Sequence, residues 1–355
     1  MIKNANTELI RELSLAFGPT GYEDEVAKLI ESKISHLANS VKLDRMGNLI
    51  ARMTFGNGSK KLMVSSHMDE VGFMVTEICE DGYLRFDTVG GISGSVLAGR
   101  RITLGGKNDK VNGLIASKAI HHKSKEDREK VLSAEKLYID IGAANKEEAE
   151  KYAEIGSFAA FDSEFVLFGT NQRRVKSKAL DDRMGCAAMI EIMESLSKDR
   201  PCVDLDVYFC FTVREEIGLS GALTAANTIA PHFALVLETT AIGDIADTSP
   251  ESRVANVGGG GVLSLMDRST IYDRDFVDFL LNTAKQNDIK AQIKRYVSGG
   301  NDAGSIHKTG VGVRTAALSV PTRYLHSPAC VASLDDYEAL RDLCEAAIRN
   351  FDPKL

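Results

Sequence analysis

VDLDVYFCFTVREEIGLS, residues 203–220, is the stretch that decides the fold. Its centre, residues 207–213, is a nearly continuous run of β-branched and aromatic residues, which is typical of a strand buried on both faces of a parallel sheet. Arg214, Glu215 and Glu216 follow it directly. Burying two carboxylates at the end of a strand costs free energy unless a positive group binds them. From this stretch alone, a strand end that is exposed to water is an equally good interpretation. Because neighbours in an extended backbone point to opposite sides, one carboxylate could hold a cation while the other accepts a proton.

Length and composition restrict the classes of protein that this chain can belong to. A chain of 355 residues, with 44% hydrophobic and 26% charged residues, suits one large globular domain and a second module. Its net charge of −7 argues against a nucleic-acid backbone or an anionic membrane as the main partner. No apolar run approaches the roughly 18 residues of a membrane span, and the N-terminal residues show no secretion signal. The six cysteines form no CxxC pair, which favours reduced thiols and a cytoplasmic location.

Around the opening stretch, helical and strand-like patterns alternate along the chain. Apolar residues recur at helical spacing over residues 7–17, 26–37, 187–196, 276–287 and 334–351. Short apolar runs between them predict buried strands, among them residues 62–64, 233–240 and 311–320. This alternation is typical of an open α/β sheet covered by helices.

The pattern changes between residues 71 and 171, where short strand-like pieces are separated by Gly, Asn and Asp. FVLFGT, residues 165–170, is the last of these pieces, and the charged segment 123–136 is predicted to be a surface loop or helix. We therefore predict a discontinuous catalytic domain, residues 1–70 and 172–355, and an inserted β-rich domain, residues 71–171. Because the insert supplies no candidate ligand, we expect it to serve assembly rather than chemistry.

Candidate metal ligands lie at the ends of several predicted core elements: His67, Asp181, Glu216, Glu238 and His326, with Asp182 following Asp181 at the start of a predicted helix. In open α/β sheets, sites form outside the carboxyl ends of the strands, so groups far apart in sequence can converge there. Each residue alone is more often structural, as a satisfied histidine or a helix cap. Two imidazoles and three carboxylates together suit two divalent metals that share one bridging carboxylate. Asp69 adds support, because a ligating histidine such as His67 usually donates its other ring N–H to a carboxylate or carbonyl.

Six motifs resemble, in order, those of the tetrahedral (TET) aminopeptidase family of dinuclear metallopeptidases: SSHMDEVGF, KALDDRMGC, FTVREEIG, LVLETT, GGNDAGSIH and TRYLHSP. LYIDIGA and EIGSFAAFD in the insert are also similar, so the resemblance covers nearly the whole chain. It implies a phosphorylase/hydrolase-like three-layer α/β/α catalytic domain with an inserted β-barrel-like dimerisation domain. It also implies homo-oligomers, commonly dodecamers, and peptide substrates. The family includes glutamyl and deblocking aminopeptidases, and some members have been labelled cellulases.

The resemblance also implies a role for each matching residue. One metal ion, Zn²⁺ or Co²⁺, would be held by His67 and Glu238, and the other by Glu216 and His326. Asp181 would bridge the two ions, and Asp69 would orient His67. Asp182 follows at what is typically a cis peptide bond in related enzymes. Glu215 would be the general base that takes a proton from the attacking water and passes it to the leaving amine.

Two departures from the family pattern and two rival functions stay open. Position 238 is often Asp in the family, and residues 258–261 lack a Lys that relatives often carry, so a preference for acidic residues does not follow. The expected reaction is removal of N-terminal residues from peptides. The rivals are a carboxypeptidase or other metal-dependent amidohydrolase and a non-catalytic assembly protein on the same fold. A cellulase is disfavoured because glycosidases use two carboxylates without obligatory metals, and no Trp is present to stack sugars.

Overall fold

The computed structural model describes residues 4–106, 109–122, 124–125 and 131–352. The strands in this part of the chain are β1 (Ser40–Leu43), β2 (Leu49–Phe55), β3 (Lys60–His67), β4 (Gly72–Ile78), β5 (Leu84–Val89), β6 (Arg101–Gly105), β7 (Lys110–Ala116), β8 (Tyr138–Asp140), β9 (Phe158–Phe161), β10 (Val166–Phe168), β11 (Arg174–Ser177), β12 (Leu205–Thr212), β13 (Phe233–Ala241), β14 (Gly261–Leu263), β15 (Ala291–Ile293), β16 (Arg314–Thr322) and β17 (Cys330–Ser333). The helices are α1 (Thr7–Leu15), α2 (Asp24–Ile34), α3 (Lys146–Ala149), α4 (Leu180–Lys198), α5 (Ser220–Ile229), α6 (Arg274–Gln286), α7 (Ala303–Ile306) and α8 (Leu334–Arg349).

An eight-stranded sheet in the order β1-β2-β12-β3-β13-β16-β14-β15 forms the centre of the molecule. Its four middle strands, β12, β3, β13 and β16, are parallel to one another. Every residue of β12 except Tyr208 is buried, as the apolar run predicted. The carboxyl ends of these four strands therefore lie along one edge of the sheet.

Helices cover this sheet where their apolar stripes face it. α4 packs against β3 and β13, and α5 packs against β12 and β3. The side chains of Asn6, Asp273 and Ser333 accept backbone hydrogen bonds at the N-termini of α1, α6 and α8, and so satisfy donors that the first helical turn leaves free. The predicted helices and strands are thus present, although most of their ends shift by up to three residues, for example at β16, which begins at Arg314, and α4 begins seven residues before the predicted pattern, at Leu180.

A closed barrel in the order β4-β5-β8-β7-β6-β9 is inserted in the chain between β3 and β12 of the main sheet. It has its own hydrophobic core, in which Phe73 packs edge-on against Phe86 and Phe161. Closure removes the free strand edges that a small sheet would otherwise expose. The predicted α/β fold with an inserted β-barrel-like unit is confirmed.

One strand lies outside the barrel although the sequence pattern placed it in the insert. β10, within FVLFGT, pairs with β11, and β11 pairs with β17 beside the main sheet. A short apolar strand carries no local signal for its partner, because pairing depends on distant residues. Of the charged segment 123–136, residues 123 and 126–130 lie outside the described residues, and Ala134–Lys136 forms a 3₁₀ turn.

Arg183, in the first turn of α4, is fully buried and joins the N-terminal segment to the sheet. Its guanidinium donates to the carbonyl oxygens of Met68 and Leu13 at 2.6 Å each and of Gly18 at 3.2 Å. Buried arginines are tolerated when their donors are satisfied in this way. The segment before α2 is therefore fixed against the residues that follow β3.

Two further observations concern the cysteines and the helices. All six cysteines lie among the described residues and are free. None of the described helices combines the length and the apolar character that crossing a membrane requires.

Candidate active site

The site begins at the carboxyl ends of three adjacent strands. His67 is the last residue of β3 and lies level with Thr212, the last residue of β12. On the other side of β3, Val236 of β13 pairs with Ser65, so Glu238 reaches the level of His67. The Glu238 Oε1 and His67 Nε2 atoms are 3.5 Å apart, and both residues are buried. The predicted convergence of these two strand ends is therefore present.

Asp181 lies between two imidazoles. It is in the first turn of α4, but its backbone angles and those of Asp182 are not helical, and the Asp181–Asp182 peptide bond is cis. Asp181 Oδ1 is 3.3 Å from His67 Nε2, and Asp181 Oδ2 is 3.3 Å from His326 Nε2. Each oxygen of this one carboxylate thus faces a different histidine, which is the arrangement of a bridging ligand.

Two groups of potential ligands share Asp181. His67, Asp181 and Glu238 form one group, and Asp181, Glu216 and His326 form the other, with the ligand atoms of each group within 4.8 Å of one another. Glu216 Oε2 is 3.4 Å from His326 Nε2. The structure thus brings together the five residues that the sequence predicted as metal ligands, although they span 259 residues, from His67 to His326.

The orientation of both histidines fits a cation. His67 Nδ1 is 3.0 Å from the carbonyl oxygen of Asp69, and His326 Nδ1 is 2.7 Å from that of Gly91. A carbonyl oxygen only accepts hydrogen bonds, so both Nδ1 atoms carry the hydrogen and each Nε2 of a neutral ring presents a lone pair. These lone pairs face carboxylate oxygens, which is unfavourable unless a cation or an additional proton lies between them. Imidazole nitrogen with carboxylate oxygen is a donor set that suits Zn²⁺ and similar ions, so the residues fit two divalent metal ions.

The electrostatics of the cluster lead to the same conclusion. Burial, with the Asp181 carboxylate beside it, raises the pKa of Glu216 to about 8, and burial raises that of Glu238 to about 7. Burial opposes protonation of His67, but the Glu238, Asp181 and Asp69 carboxylates outweigh it and raise its pKa well above the usual value. Without a metal the cluster therefore retains protons, and a divalent cation could replace them.

Glu215 and Glu216 lie in a turn, and the prediction of an extended segment was wrong. β12 ends at Thr212, and Arg214 has a left-handed backbone with a φ of 57°. The two side chains still have different neighbours. Glu216 approaches His326, whereas Glu215 lies with His67 at the edge of the cluster and lines the cavity described below. The Glu215 carboxyl has a pKa well above its usual value, chiefly because it is buried.

Asp69 contacts His67 and also holds this turn. Its carboxylate Oδ1 is 3.5 Å from His67 Nδ1, which is longer than the 3.0 Å to its own backbone carbonyl oxygen. The carboxylate instead accepts the backbone N–H groups of Glu215 at 3.1 Å and of Glu216 at 3.2 Å. The predicted orienting contact is thus made mainly by the main chain of Asp69, while its side chain supports the two glutamates.

Several residues near the cluster were missed or given no role by the sequence reasoning. Asp182 Oδ2 accepts from Ser66 Oγ at 2.5 Å, and Asp302, within the GGNDAGSIH motif, accepts from Thr212 Oγ1 at 2.6 Å. Asp302 Oδ1 is buried without a hydrogen-bond partner among the described residues. Gly91 belongs to the inserted barrel region, and its carbonyl orients His326, so the insert does contribute to the site. Asp302 could have been singled out because it lies within the GGNDAGSIH motif, whereas no local pattern marks Gly91.

A cavity of about 390 Å³ opens onto the cluster. Its lining includes the polar residues Ser264, Asp267, Lys294, Ser298 and Asn301. The Asp267 carboxylate already accepts from two backbone N–H groups and from a tyrosine hydroxyl. Lys294 is the only Lys or Arg among the described residues that line the cavity, and its ammonium donates to the Ser298 carbonyl at 2.7 Å.

Backbone N–H groups of the glycine-rich run 257–261 bind a carboxylate side chain of the protein itself. The N–H groups of Gly258 and Gly260 both donate to the Asp336 carboxylate at 2.7 Å. Backbone N–H groups that converge in this way form an anion site. Here the anion is part of the chain, so the run is a structural turn.

Comparisons with known proteins place the chain among peptidases. The model of the M42 glutamyl aminopeptidase family matches residues 47–343. A candidate aminopeptidase of Acetivibrio thermocellus is 39% identical over 340 residues, which cover 96% of this chain and 97% of that protein. Lysyl aminopeptidase of Pyrococcus furiosus is 30% identical over 350 residues, which cover 98% and 97% of the two chains.

Solved structures show the same fold. A TET aminopeptidase from the marine sediment archaeon Thaumarchaeota archaeon SCGC AB-539-E09 superposes with a TM-score of 0.94 at 35% identity, covering 98% of this chain and 96% of that one. The TET1 peptidase of Pyrococcus horikoshii, described as assembling into a tetrahedron or a large octahedral shell, gives a TM-score of 0.87 at 34% identity. That match covers 97% of this chain and 99% of the other.

Proposed function

The chain belongs to the M42 glutamyl aminopeptidase family, and from this premise we propose that it removes N-terminal residues from peptides with two divalent metal ions. The observation that carries the proposal is the position of Asp181, whose two oxygens each lie 3.3 Å from the Nε2 atom of a different histidine. A non-catalytic protein on this fold would not need to keep this set of buried carboxylates and imidazoles. Their burial is costly without a bound cation.

Each side chain of the cluster then has a defined task. His67 and Glu238 would hold one ion, His326 and Glu216 the other, and Asp181 both. Bound there, the ions would polarise the scissile carbonyl and lower the pKa of a nearby water molecule. Glu215 accepts the proton of the attacking water and donates it to the leaving amine. Asp69 holds the turn of Glu215 and keeps that carboxylate at the cavity wall.

Removal and return of metal tests this proposal. We expect a chelator to abolish hydrolysis of amino-acid 4-nitroanilides, because the cluster would lose the charge that activates water. Addition of Zn²⁺, Co²⁺ or Mn²⁺ should restore activity at two ions per chain, and the ion with the highest turnover identifies the preferred metal. Activity that survives chelation would contradict the metal mechanism. Faster cleavage of N-blocked dipeptides than of free-amine substrates would instead favour the carboxypeptidase alternative.

The charge of Lys294 predicts a preference at the N-terminal position. A half-buried ammonium in the cavity favours an acidic substrate side chain, even though residues 258–261 lack a lysine. We expect Lys294→Met to lower kcat/KM for a glutamyl substrate about tenfold relative to the isosteric glutaminyl substrate, as loss of a charge-assisted hydrogen bond implies. The matched control is Lys290→Met at an exposed lysine, which should leave the ratio unchanged. An unchanged ratio in Lys294→Met would show that this cation does not select the substrate.

Assembly and location complete the proposal. The Pyrococcus horikoshii relative forms closed shells, and we propose that this chain forms a homo-oligomer, built from dimers up to a dodecamer, through its inserted barrel. Light scattering on the full chain measures that mass directly, and a monomer would contradict it. The free state of all six cysteines supports a cytoplasmic location.

A further inference from the structure

The loop between α1 and α2 is fixed beside the residues that follow β3. The backbone of Glu70 donates to the Gly18 carbonyl at 3.0 Å, and the backbone of Thr20 donates to the Glu70 carbonyl at 3.0 Å. Arg183 binds the same loop through the Gly18 carbonyl. Residues 18–23 therefore run next to Asp69 and cannot move independently of it.

Two buried side chains of this loop extend to the turn of the glutamates. Thr20 Oγ1 donates to Asp69 Oδ2 at 2.8 Å. Glu23 Oε1 accepts the backbone N–H of Arg214 at 3.3 Å and that of Gly21 at 2.7 Å. Thr20 is 4% exposed and Glu23 is 7% exposed, so water does not compete strongly for these contacts.

Three consecutive N–H groups of the turn are thus held by carboxylates from distant segments. Glu23 accepts that of Arg214, and Asp69 accepts those of Glu215 and Glu216. The turn needs such support, because a non-glycine residue with the φ of 57° found at Arg214 adopts an uncommon conformation. Thr20 in turn fixes the Asp69 carboxylate.

We propose that Thr20 and Glu23 are positioning residues for the general base, and that the N-terminal loop holds Glu215 at the distance that proton transfer requires. The proposal rests on the proposed function, in which Glu215 takes the proton. Glu216 would also be held by the metal ion that it binds, whereas Glu215, which the proposed scheme leaves without a metal ion, depends on the turn for its position. Loss of the loop contacts should therefore affect Glu215 more than the metal ligands.

Within the described part of the chain, neither Thr20 nor Glu23 lines the cavity, so neither contacts a bound substrate there. A role in positioning then predicts a lower kcat with little change in KM. Glu25 provides the matched control, because it lies two residues further in the same loop–helix junction and also accepts a backbone N–H, that of Phe17 at 3.1 Å. Glu25 also forms an ion pair with Lys110, away from the turn.

The experiment compares Glu23→Ala, Glu23→Gln, Thr20→Val, Thr20→Ser and Glu25→Ala in the full chain at saturating metal. For each, kcat, KM, metal content and unfolding temperature are measured with one chromogenic substrate. We expect Glu23→Ala and Thr20→Val to lose about tenfold to a hundredfold in kcat, the scale of a small misplacement of a catalytic group. Metal content should stay at the wild-type value, and KM should change less than about threefold, since substrate binding is not touched.

Rescue by the conservative variants separates positioning from general stability. Glu23→Gln keeps an acceptor for the Arg214 N–H and Thr20→Ser keeps the hydroxyl, so both should retain most of the wild-type kcat. Glu25→Ala should match wild type even if its unfolding temperature falls. Thr20→Val is nearly isosteric, so it decides the question if Glu23→Ala does not fold.

Three results would overturn the inference: kcat in Thr20→Val and Glu23→Ala no lower than in Glu25→Ala, loss of metal in parallel with loss of kcat, or no rescue by Glu23→Gln and Thr20→Ser. Failure of the proposed function looks different. In that case the wild-type chain itself would be inactive on every peptide substrate, or Glu215→Gln would be fully active.

Discussion

Glu215→Gln is expected to bind both metal ions as the wild type does and to lose about two to four orders of magnitude in turnover, the usual contribution of general acid–base catalysis. The amide keeps the size and the hydrogen-bonding capacity of the side chain but cannot accept a proton. Glu215 faces the cavity and forms a third group of potential ligands with His67 and Glu216, but in the proposed scheme its carboxylate is not a metal ligand. Metal content by plasma mass spectrometry, measured beside kcat, checks both parts of the expectation.

The neighbouring residue supplies the control for this prediction. Glu216→Gln removes an anionic ligand at 3.4 Å from His326, so it should weaken one metal site and recover part of its activity in excess metal. The turn is held by backbone contacts to Asp69, which neither substitution removes. If Glu215→Gln lost metal while Glu216→Gln kept both ions, the two roles would be reversed.

Asp181→Asn is expected to lose both metal ions and with them nearly all activity. Each carboxylate oxygen of Asp181 faces one histidine, and an amide offers a neutral oxygen to one side and N–H donors to the other. Because a shared ligand contributes to both ions, its loss cannot be confined to one of them. Titration of the metal-free variant with Zn²⁺ or Co²⁺, followed by calorimetry, measures the affinity of each site.

The single-site ligands give a graded comparison. Glu238→Gln should weaken the site of His67, and Glu216→Gln should weaken the site of His326, while each keeps the other ion. Only Asp181→Asn should weaken both. One ion retained at wild-type affinity in Asp181→Asn would show that this carboxylate does not bridge the two sites.

The insert contributes a group to the candidate site, in addition to the assembly that we propose for it. Its Gly91 carbonyl accepts the Nδ1 hydrogen of His326 and so fixes the ring that faces Asp181 and Glu216. The barrel and the candidate metal centre are therefore physically connected. A partner of a ligating histidine commonly influences metal affinity, so the barrel could not be exchanged without effect on the site.

The sequence alone determined the central strands, the types of ligand and the approximate place of the site. The apolar run of β12 and the helical spacing of α8 follow from burial, which each residue expresses through its own side chain and its immediate neighbours. Polar residues directly after such runs, such as His67 and Glu238, had to lie at one edge of a parallel sheet. The residues that converge in the candidate metal cluster could therefore be predicted, with help from motifs that resemble a known family.

Only the tertiary structure decided how the glutamates are held. Arg214 and Glu23 are 191 residues apart, and Gly91 and His326 are 235 residues apart, so no local pattern could predict either contact. The pairing of β10 could not be predicted either. By composition, its three residues fit the barrel or the three-stranded sheet of β10, β11 and β17 equally well. In each of these contacts, a backbone N–H group donates the hydrogen bond or a backbone C=O group accepts it. Every residue type except proline carries both groups. Sequence therefore shows which side chains can act, whereas the fold decides which main-chain groups orient them.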